Sequence, residues 1–238
     1  MPAAVLVANL SDKNAAPLSS AYQLADVELL NESEGYQGFF QIRSLTLRHR
    51  LFAGSMSEPI NRELFVRHDA VGVLLFDPAL EAICLVEQFR VGAYGHQLQR
   101  QQGGPTPTGD DATAPSSPWL LELVAGLIDK DEPPATVAER EAVEEAGAIV
   151  QALEPIAEYY SSPGGSSEYF YLLCGKADLS AVGGIHGLAE ESEDIRAHVI
   201  SCDQAWQLLD QHRINNAHTL IALQWLQRHV DRVKKQWL

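Results

Sequence analysis

The sequence predicts an α/β protein whose main domain is preceded by a small antiparallel sheet. Three observations carry this expectation. Apolar and polar residues alternate in short runs over 27–65; apolar, β-branched runs recur at 71–76, 83–86, 119–124, 156–160, 169–173 and 195–200; and 135–146 and the C-terminal stretch carry helical patterns. A chain of 238 residues, 46% of them hydrophobic, can bury the core of one large domain or of one domain plus a small one.

Taken in order, residues 1–20 are rich in Ala, Ser and Asn and read as a loose tail. In 21–66, Phe40, Ile42, Leu45 and Leu47 are interleaved with Arg43, Thr46, Arg48 and Arg50, the alternation of strands. Three or so short strands cannot bury both faces of a sheet alone, so this domain needs the main domain or another subunit to pack on. The boundary falls near Arg67, and the main domain runs over 67–238. The runs 71–76 and 83–86 flank DPALEA, whose Asp77-Pro78 favours a turn, so they form a hairpin. The stretch 95–118 holds GGPTPTG and APSSP and reads as a long, mobile polar loop. Pro133 and Pro134 suit a helix start and Gly147 the residue past its end, which gives a helix over 135–146. Asp203 N-caps a short helix through Leu209. Leu220, Leu223, Leu226, Val230, Val233 and Trp237 then form the core-facing stripe of a C-terminal helix.

Seventeen Lys and Arg against 32 Asp and Glu give a net charge of −15, which repels nucleic-acid backbones and anionic membranes. No basic block offsets it, so neither is expected as a partner. Cys84, Cys174 and Cys202 lack metal-ligand spacing, and their odd number argues for buried thiols rather than a disulfide framework. The N-terminus has no positive n-region and only a short apolar run, and no segment reaches the roughly 20 apolar residues of a membrane span. A cytoplasmic location is the expectation.

The densest signal lies at 126–148, GLIDKDEPPATVAEREAVEEAGA, where Gly126, Glu132, Arg140, Glu141, Glu144, Glu145 and Gly147 stand at fixed places. Seven fixed residues arise by chance in such a chain with a probability on the order of 10⁻⁶. Glu141, Glu144 and Glu145 share one side of the helix and repel one another, so a cation is needed. Arg140 reaches Glu144 one turn on, which is how an ordinary solvated helix face is neutralised. A tight glycine loop after an apolar strand sets this helix apart, because clustered carboxylates there suit a hard cation such as Mg²⁺, which also binds phosphates.

The spacing resembles the Nudix box, the signature of hydrolases that cleave a nucleoside diphosphate linked to another moiety. Ala142 and Ala148 depart from it, standing where the family prefers larger aliphatic residues. The segments YQGFF, LRHRLFAG, VEQFRVGAY, PWLLELVAGLID, SSPGGSSE, GIHGLAEESEDIR and NNAHTLIALQWLQ extend the resemblance to the ADP-ribose pyrophosphatase branch over nearly all of the chain after Tyr36. In that branch a proline sixteen residues beyond the last box glycine marks the substrate class, and Pro163 stands there.

The resemblance implies an α/β/α sandwich around a mixed sheet, with the N-terminal sheet exchanged between the subunits of a homodimer. It implies that the Ala125 carbonyl, Glu141 and Glu145 hold Mg²⁺, with Mn²⁺ as a substitute. Glu132 is carried over as an acidic loop residue that orients the site. Glu144 is a secondary ligand or the partner of Arg140. Arg90, Arg62 and Phe39 match positions that contact ADP-ribose, the last two reaching the other subunit's site. Glu191 matches the general base, and Glu193 a residue that approaches metals and water as its loop closes. The implied reaction is hydrolysis of ADP-ribose to AMP and ribose 5-phosphate. NADH or another nucleoside diphosphate derivative is the alternative substrate, and a non-catalytic nucleotide sensor the alternative class.

Overall fold

The computed structural model describes residues 19–102, 117–129 and 131–238. The expected tail up to residue 18, and 103–116 of the expected loop, lie outside the described residues. One compact unit ends at Leu64 and a second spans Phe65–Leu238.

In the first unit, β1 (Val27–Gln37), β2 (Gln41–His49) and β3 (Ile60–Val66) form a three-stranded sheet in the order β1-β2-β3, with β1 and β2 antiparallel. Two of the interleaved arginines are paired here: Arg43 Nη1 lies 2.7 Å from Glu32 and Arg50 Nε 2.8 Å from Asp26. All eleven residues of β1 are exposed, Val27, Leu29, Leu30 and Tyr36 among them. A sheet that leaves such side chains in water has not completed its core within this unit.

The second unit opens with the expected hairpin, β4 (Ala70–Asp77) and β5 (Ala82–Phe89), which are antiparallel. Its turn is held by Asp77 Oδ1, which accepts the N–H groups of Ala79 and Leu80 at 2.9 and 3.0 Å. A helix, α1 (Val91–Gln101), then takes in the start of the expected loop, 95–101. Its second half, HQLQRQ, is after His96 built of good helix formers, which a judgement on polarity overlooks. The single strand expected over 119–124 is two strands, β6 (Trp119–Glu122) on β5 and β7 (Val124–Leu127) on β4. The break falls at Leu123, whose N–H leaves the ladder for Thr219 Oγ1 at 3.0 Å.

Next come α2 (Pro134–Ala146), β8 (Val150–Tyr160), β9 (Tyr169–Ala177), β10 (Gly184–His186), β11 (Ile195–Ser201), α3 (Cys202–Asp210) and α4 (Ala217–Trp237). The cap of α3 is Ser201, which accepts the Gln204 N–H, and not Asp203, which lies inside the first turn. The sheet order is β10-β11-β5-β4-β9-β8; β4 runs parallel to β9, while β10–β11, β11–β5, β5–β4 and β9–β8 are antiparallel, so the sheet is mixed.

All eight residues of β4 are buried and feed alternate sides of the sheet. Leu74 and Phe76, with Ile83, Leu85, Leu172 and Cys174, pack against Ala205 of α3 and Ala222, Leu223, Leu226 and Trp237 of α4. Val71, Val73 and Leu75, with Val86, pack against Val137, Ala138, Ala142 and Ala146 of α2. Each large side chain buried in this way contributes about 1.5–3 kcal/mol. The result is the expected sandwich of helices on both faces of a mixed sheet. The C-terminal stripe is in place, and Cys84, Cys174 and Cys202 are free and buried. Among the described residues, no helix is long and apolar enough to cross a membrane.

Candidate active site

The site is assembled where β7 hands over to α2. Pro133 is the N-cap and Pro134 the first residue of the helix, where a missing N–H costs nothing. At the other end Gly147 takes φ 65°, and the N–H groups of Gly147 and Ala148 reach back to the carbonyls of Val143 and Ala142 at 3.0 and 2.9 Å. Gly126 serves a different purpose: a Cβ there would lie 2.0 Å from Glu141 Oε1, so only glycine lets the strand pass this carboxylate. Ala142 and Ala148 are 0% and 1% exposed, so these two departures from the family pattern sit in a closely packed core.

Glu145 is 3% exposed, and its Oε2 accepts the Ala125 N–H at 3.0 Å. Burial pushes its carboxyl up to about 8; the Ala125 bond and Arg90 pull it down, while Glu141 and Glu193 push it further. Glu141 is pushed up to about 7, again chiefly by burial, with Arg140 opposing and Glu144 and Glu193 adding. Arg140 Nη1 lies 2.9 Å from both Glu141 Oε1 and Glu144 Oε2. Among the described residues, no three Asp, Glu, His or Cys side chains converge tightly enough to hold an ion as they stand. The donor chemistry nonetheless fits a hard divalent cation: two buried carboxylates repel each other and a third, and a cation favours the charged form of all of them.

The segment after β10 docks on the C-terminal end of α2. Gly187 donates its N–H to the Glu144 carbonyl at 3.2 Å, and Leu188 donates to Glu193 Oε2 at 3.2 Å. The His186 ring, held by Gly183 O at 2.9 Å, fills the space beside Gly147, where a Cβ would approach it to 2.8 Å. Glu193 is thereby brought within electrostatic reach of Glu141 and Glu145. Glu190 and Glu191 occupy a single exposed 3-10 turn, Ala189–Glu191, followed by Ser192 at φ 59°. Among the described residues it is Glu193, and not Glu191, that acts on Glu141 and Glu145.

On the α2 face of β5, Arg90 donates from Nε to Glu122 Oε2 at 2.7 Å, and its backbone N–H is held by Pro118 O at 2.9 Å. The sequence reading missed Glu122; the signal was a carboxylate inside the apolar run WLLELV. It also missed Gln88, which is 6% exposed and whose Nε2 has no hydrogen-bond partner among the described residues. Pro163 lies in an exposed turn closed by Ser162 O, which accepts the N–H groups of Gly165 and Ser166 at 3.3 and 3.0 Å. Ser161 and Arg67 both hold Glu168 at the end of that turn, at 2.5 and 2.9 Å. Phe39 and Arg62 belong to the first unit; Phe39 is 89% exposed, and Arg62 Nη1 donates to the Asn61 carbonyl at 2.8 Å. Glu132 donates its N–H to Asp129 O at 3.2 Å, within the loop before α2.

Residues 66–223 match the model of the NUDIX domain. The chain is 42% identical over 212 residues to the ADP-ribose pyrophosphatase of Escherichia coli (strain K12), covering 89% of this chain and 93% of that protein. It is 40% identical to the ADP-ribose pyrophosphatase of Haemophilus influenzae, covering 89% and 91%. It is 30% identical to the GDP-mannose pyrophosphatase of Cronobacter sakazakii, covering 85% and 95%. A solved structure described as an ADP compounds hydrolase superposes with a TM-score of 0.62 at 18% identity, covering 90% of this chain and 98% of that one; this likeness is one of fold.

Proposed function

The chain belongs to the NUDIX domain family, and from that premise we propose that it hydrolyses the diphosphate of ADP-ribose to AMP and ribose 5-phosphate. The observation that carries the reading is the set of carboxylates Glu141, Glu145 and Glu193 gathered beside Gly126, with the Arg90 guanidinium acting on the same group. A protein of charge −15 must neutralise an approaching diphosphate. Glu141, Glu145 and the Ala125 carbonyl would hold a divalent cation, Mg²⁺ or in its place Mn²⁺, which would supply that neutralisation and stabilise charge on the departing phosphate.

The chain's own groups do the rest. Arg140, already shared between two carboxylates, keeps Glu144 as its partner when Glu141 turns to a cation. Arg90 takes an anionic oxygen of the substrate. Glu191, exposed on its turn, is free to remove a proton from the attacking water, whose oxygen forms the new bond to phosphorus as the bridging P–O bond breaks. Glu193 orders that turn from within by accepting the Leu188 N–H. Phe39, Arg62 and Pro163 complete the substrate contacts, with the exposed face of β1 buried against a second copy in a homodimer that exchanges its N-terminal sheet.

Identity of 40–42% to two ADP-ribose pyrophosphatases, against 30% to a GDP-mannose pyrophosphatase, supports ADP-ribose over other nucleoside diphosphate derivatives. The test is incubation with ADP-ribose and Mg²⁺ followed by product identification, in parallel with NADH and GDP-mannose. AMP and ribose 5-phosphate, formed with the highest kcat/KM of the panel, are expected. No AMP, or a tenfold preference for another member, overturns the reading.

A further inference from the structure

Arg90 presents an unusual surplus of donors. Its guanidinium has one side-chain partner among the described residues, Glu122, and the contact uses Nε alone, at 2.7 Å. Both Nη groups are left without a partner there. Glu122 pairs opposite Val86 in the β5–β6 ladder, and Val86 packs against the α2 side of the core, so the Glu122 side chain faces α2. Gln88 follows two residues after Val86 on the same face, and its buried Nε2 also has no partner among the described residues. Arg90 comes two residues later with φ −125° and ψ 112°, which continues the alternation past the strand end. One face of the β5–β6 ladder thus gathers these donors beside the Glu122 carboxylate.

That acceptor is costly to keep. The Glu122 side chain is 15% exposed, and burial pushes its carboxyl up against the pull of Arg90. An ion pair in this setting need not add stability over apolar residues of similar shape. What it does provide is orientation: a guanidinium gripped at Nε can rotate little, and its two outer amines stay aimed in one direction as a fork for two anionic oxygens.

We propose that Glu122 is the positioning residue of the site, holding Arg90 by Nε so that both Nη groups face the substrate's anionic oxygens on the α2 side of the sheet. The inference rests on the reading of Arg90 as a substrate contact given above. Glu122 touches no reacting atom and acts only through Arg90. A free arginine must be ordered on binding, so loss of this grip weakens binding about tenfold and leaves the chemical step intact.

The experiment is a double-mutant cycle of the wild type, Glu122→Gln, Arg90→Met and the pair. KM and kcat are measured with ADP-ribose and Mg²⁺, and the Kd of ADP by calorimetry without turnover. Glu122→Gln is expected to raise KM and Kd about tenfold with kcat within threefold of the wild type. In the Arg90→Met background it is expected to change neither KM nor Kd. Arg90→Gln, whose amide can still donate to Glu122, serves as the background if Arg90→Met does not fold. A lower kcat at unchanged KM is the mark of a merely structural carboxylate and overturns the proposal. Equal weakening in both backgrounds, or no effect of Glu122→Gln, overturns it as well. A wild type that binds ADP but leaves ADP-ribose intact sinks the hydrolase reading, and the calorimetric cycle still decides the role of Glu122; a wild type that binds no ADP sinks both.

Discussion

Ala125 and Glu145, twenty residues apart, close the turn between strand and helix: the backbone N–H of one donates to the buried carboxylate of the other at 3.0 Å. One neutral donor is little compensation for a charge that is 3% exposed. On the proposed reading of Glu145 as a metal ligand, the carboxylate is kept for a cation at a cost to the fold without one.

Glu145→Gln should therefore cost activity and improve stability. Removing a charged ligand is expected to lower kcat by orders of magnitude, and Glu141→Gln should do the same. In chelator, Glu145→Gln should unfold at a higher temperature than the wild type. The folded carboxyl, at about 8, lies above its ordinary 4.5, so its contribution is full below about 4.5 and is lost as pH rises through about 8. Calorimetry with chelator should show the gap opening between pH 4.5 and 8, and saturating Mg²⁺ should close it. A gap that does not vary with pH would show that the carboxyl is not perturbed by burial.

The general base is tested by three neighbouring glutamines. Glu191→Gln is expected to lower kcat strongly with ADP-ribose affinity nearly intact, and Glu190→Gln to have little effect. Glu193, which acts on Glu141 and Glu145, should cost metal affinity when changed. Normal turnover by the Glu191 variant beside a dead Glu193→Gln would move the base to Glu193.

Gly126→Ala places a methyl group 2.0 Å from Glu141 Oε1 and drives that carboxylate out of position. The expected loss is about a hundredfold in kcat, from a displacement of about an ångström. The thermal midpoint should fall far less, because Glu141 is not a core residue. Equal loss of both, measured by kinetics and scanning calorimetry, would make Gly126 a packing residue only.

His218 gives a pH signature separate from that of Glu141 and Glu145. Its ring stacks on Phe170 at 3.6 Å and 10°, and Nδ1 lies 2.6 Å from the Tyr159 hydroxyl. Burial holds it below its ordinary 6.5, with Arg90 lowering it and Glu168 opposing. The unfolded chain then takes its proton first, so stability is lost as pH falls below about 6.5. His218→Phe keeps a stacking ring and strands the Tyr159 hydroxyl, which costs about 1 kcal/mol at pH 8. That deficit should shrink between pH 7 and 5; a constant deficit would show that the histidine titrates normally.

What the sequence revealed was what depends on neighbours in the chain. The helix bearing Glu141 and Glu145 is delimited by Pro133, Pro134 and Gly147, and the C-terminal stripe from Leu220 to Trp237 is periodic on its own. The division of 119–127 into two strands was hidden because Thr219, 96 residues away, draws off the Leu123 N–H. The cap of α3 was ambiguous locally, since Ser201 and Asp203 both suit the position. Glu122 was hidden for a similar reason: its meaning comes from Arg90, 32 residues earlier in sequence and joined to it only through the β5–β6 ladder.

The parallel pairing of β4 with β9 joins Ala70 to Phe170 and continues in register to Phe76 and Lys176. A growing polypeptide therefore has its most apolar strand synthesised about a hundred residues before the partner that covers one edge of it arrives. Closing a loop of that length costs entropy before any contact repays it, which makes this step slow. A nascent chain that has emerged as far as Asp178 has the strand pair outside the ribosome but not α4, leaving Leu74 and Phe76 without the cover of Leu223, Leu226 and Trp237. Nascent chains of that length should be the ones that engage chaperones most strongly, and chains ending before Tyr169 should be the most prone to aggregate.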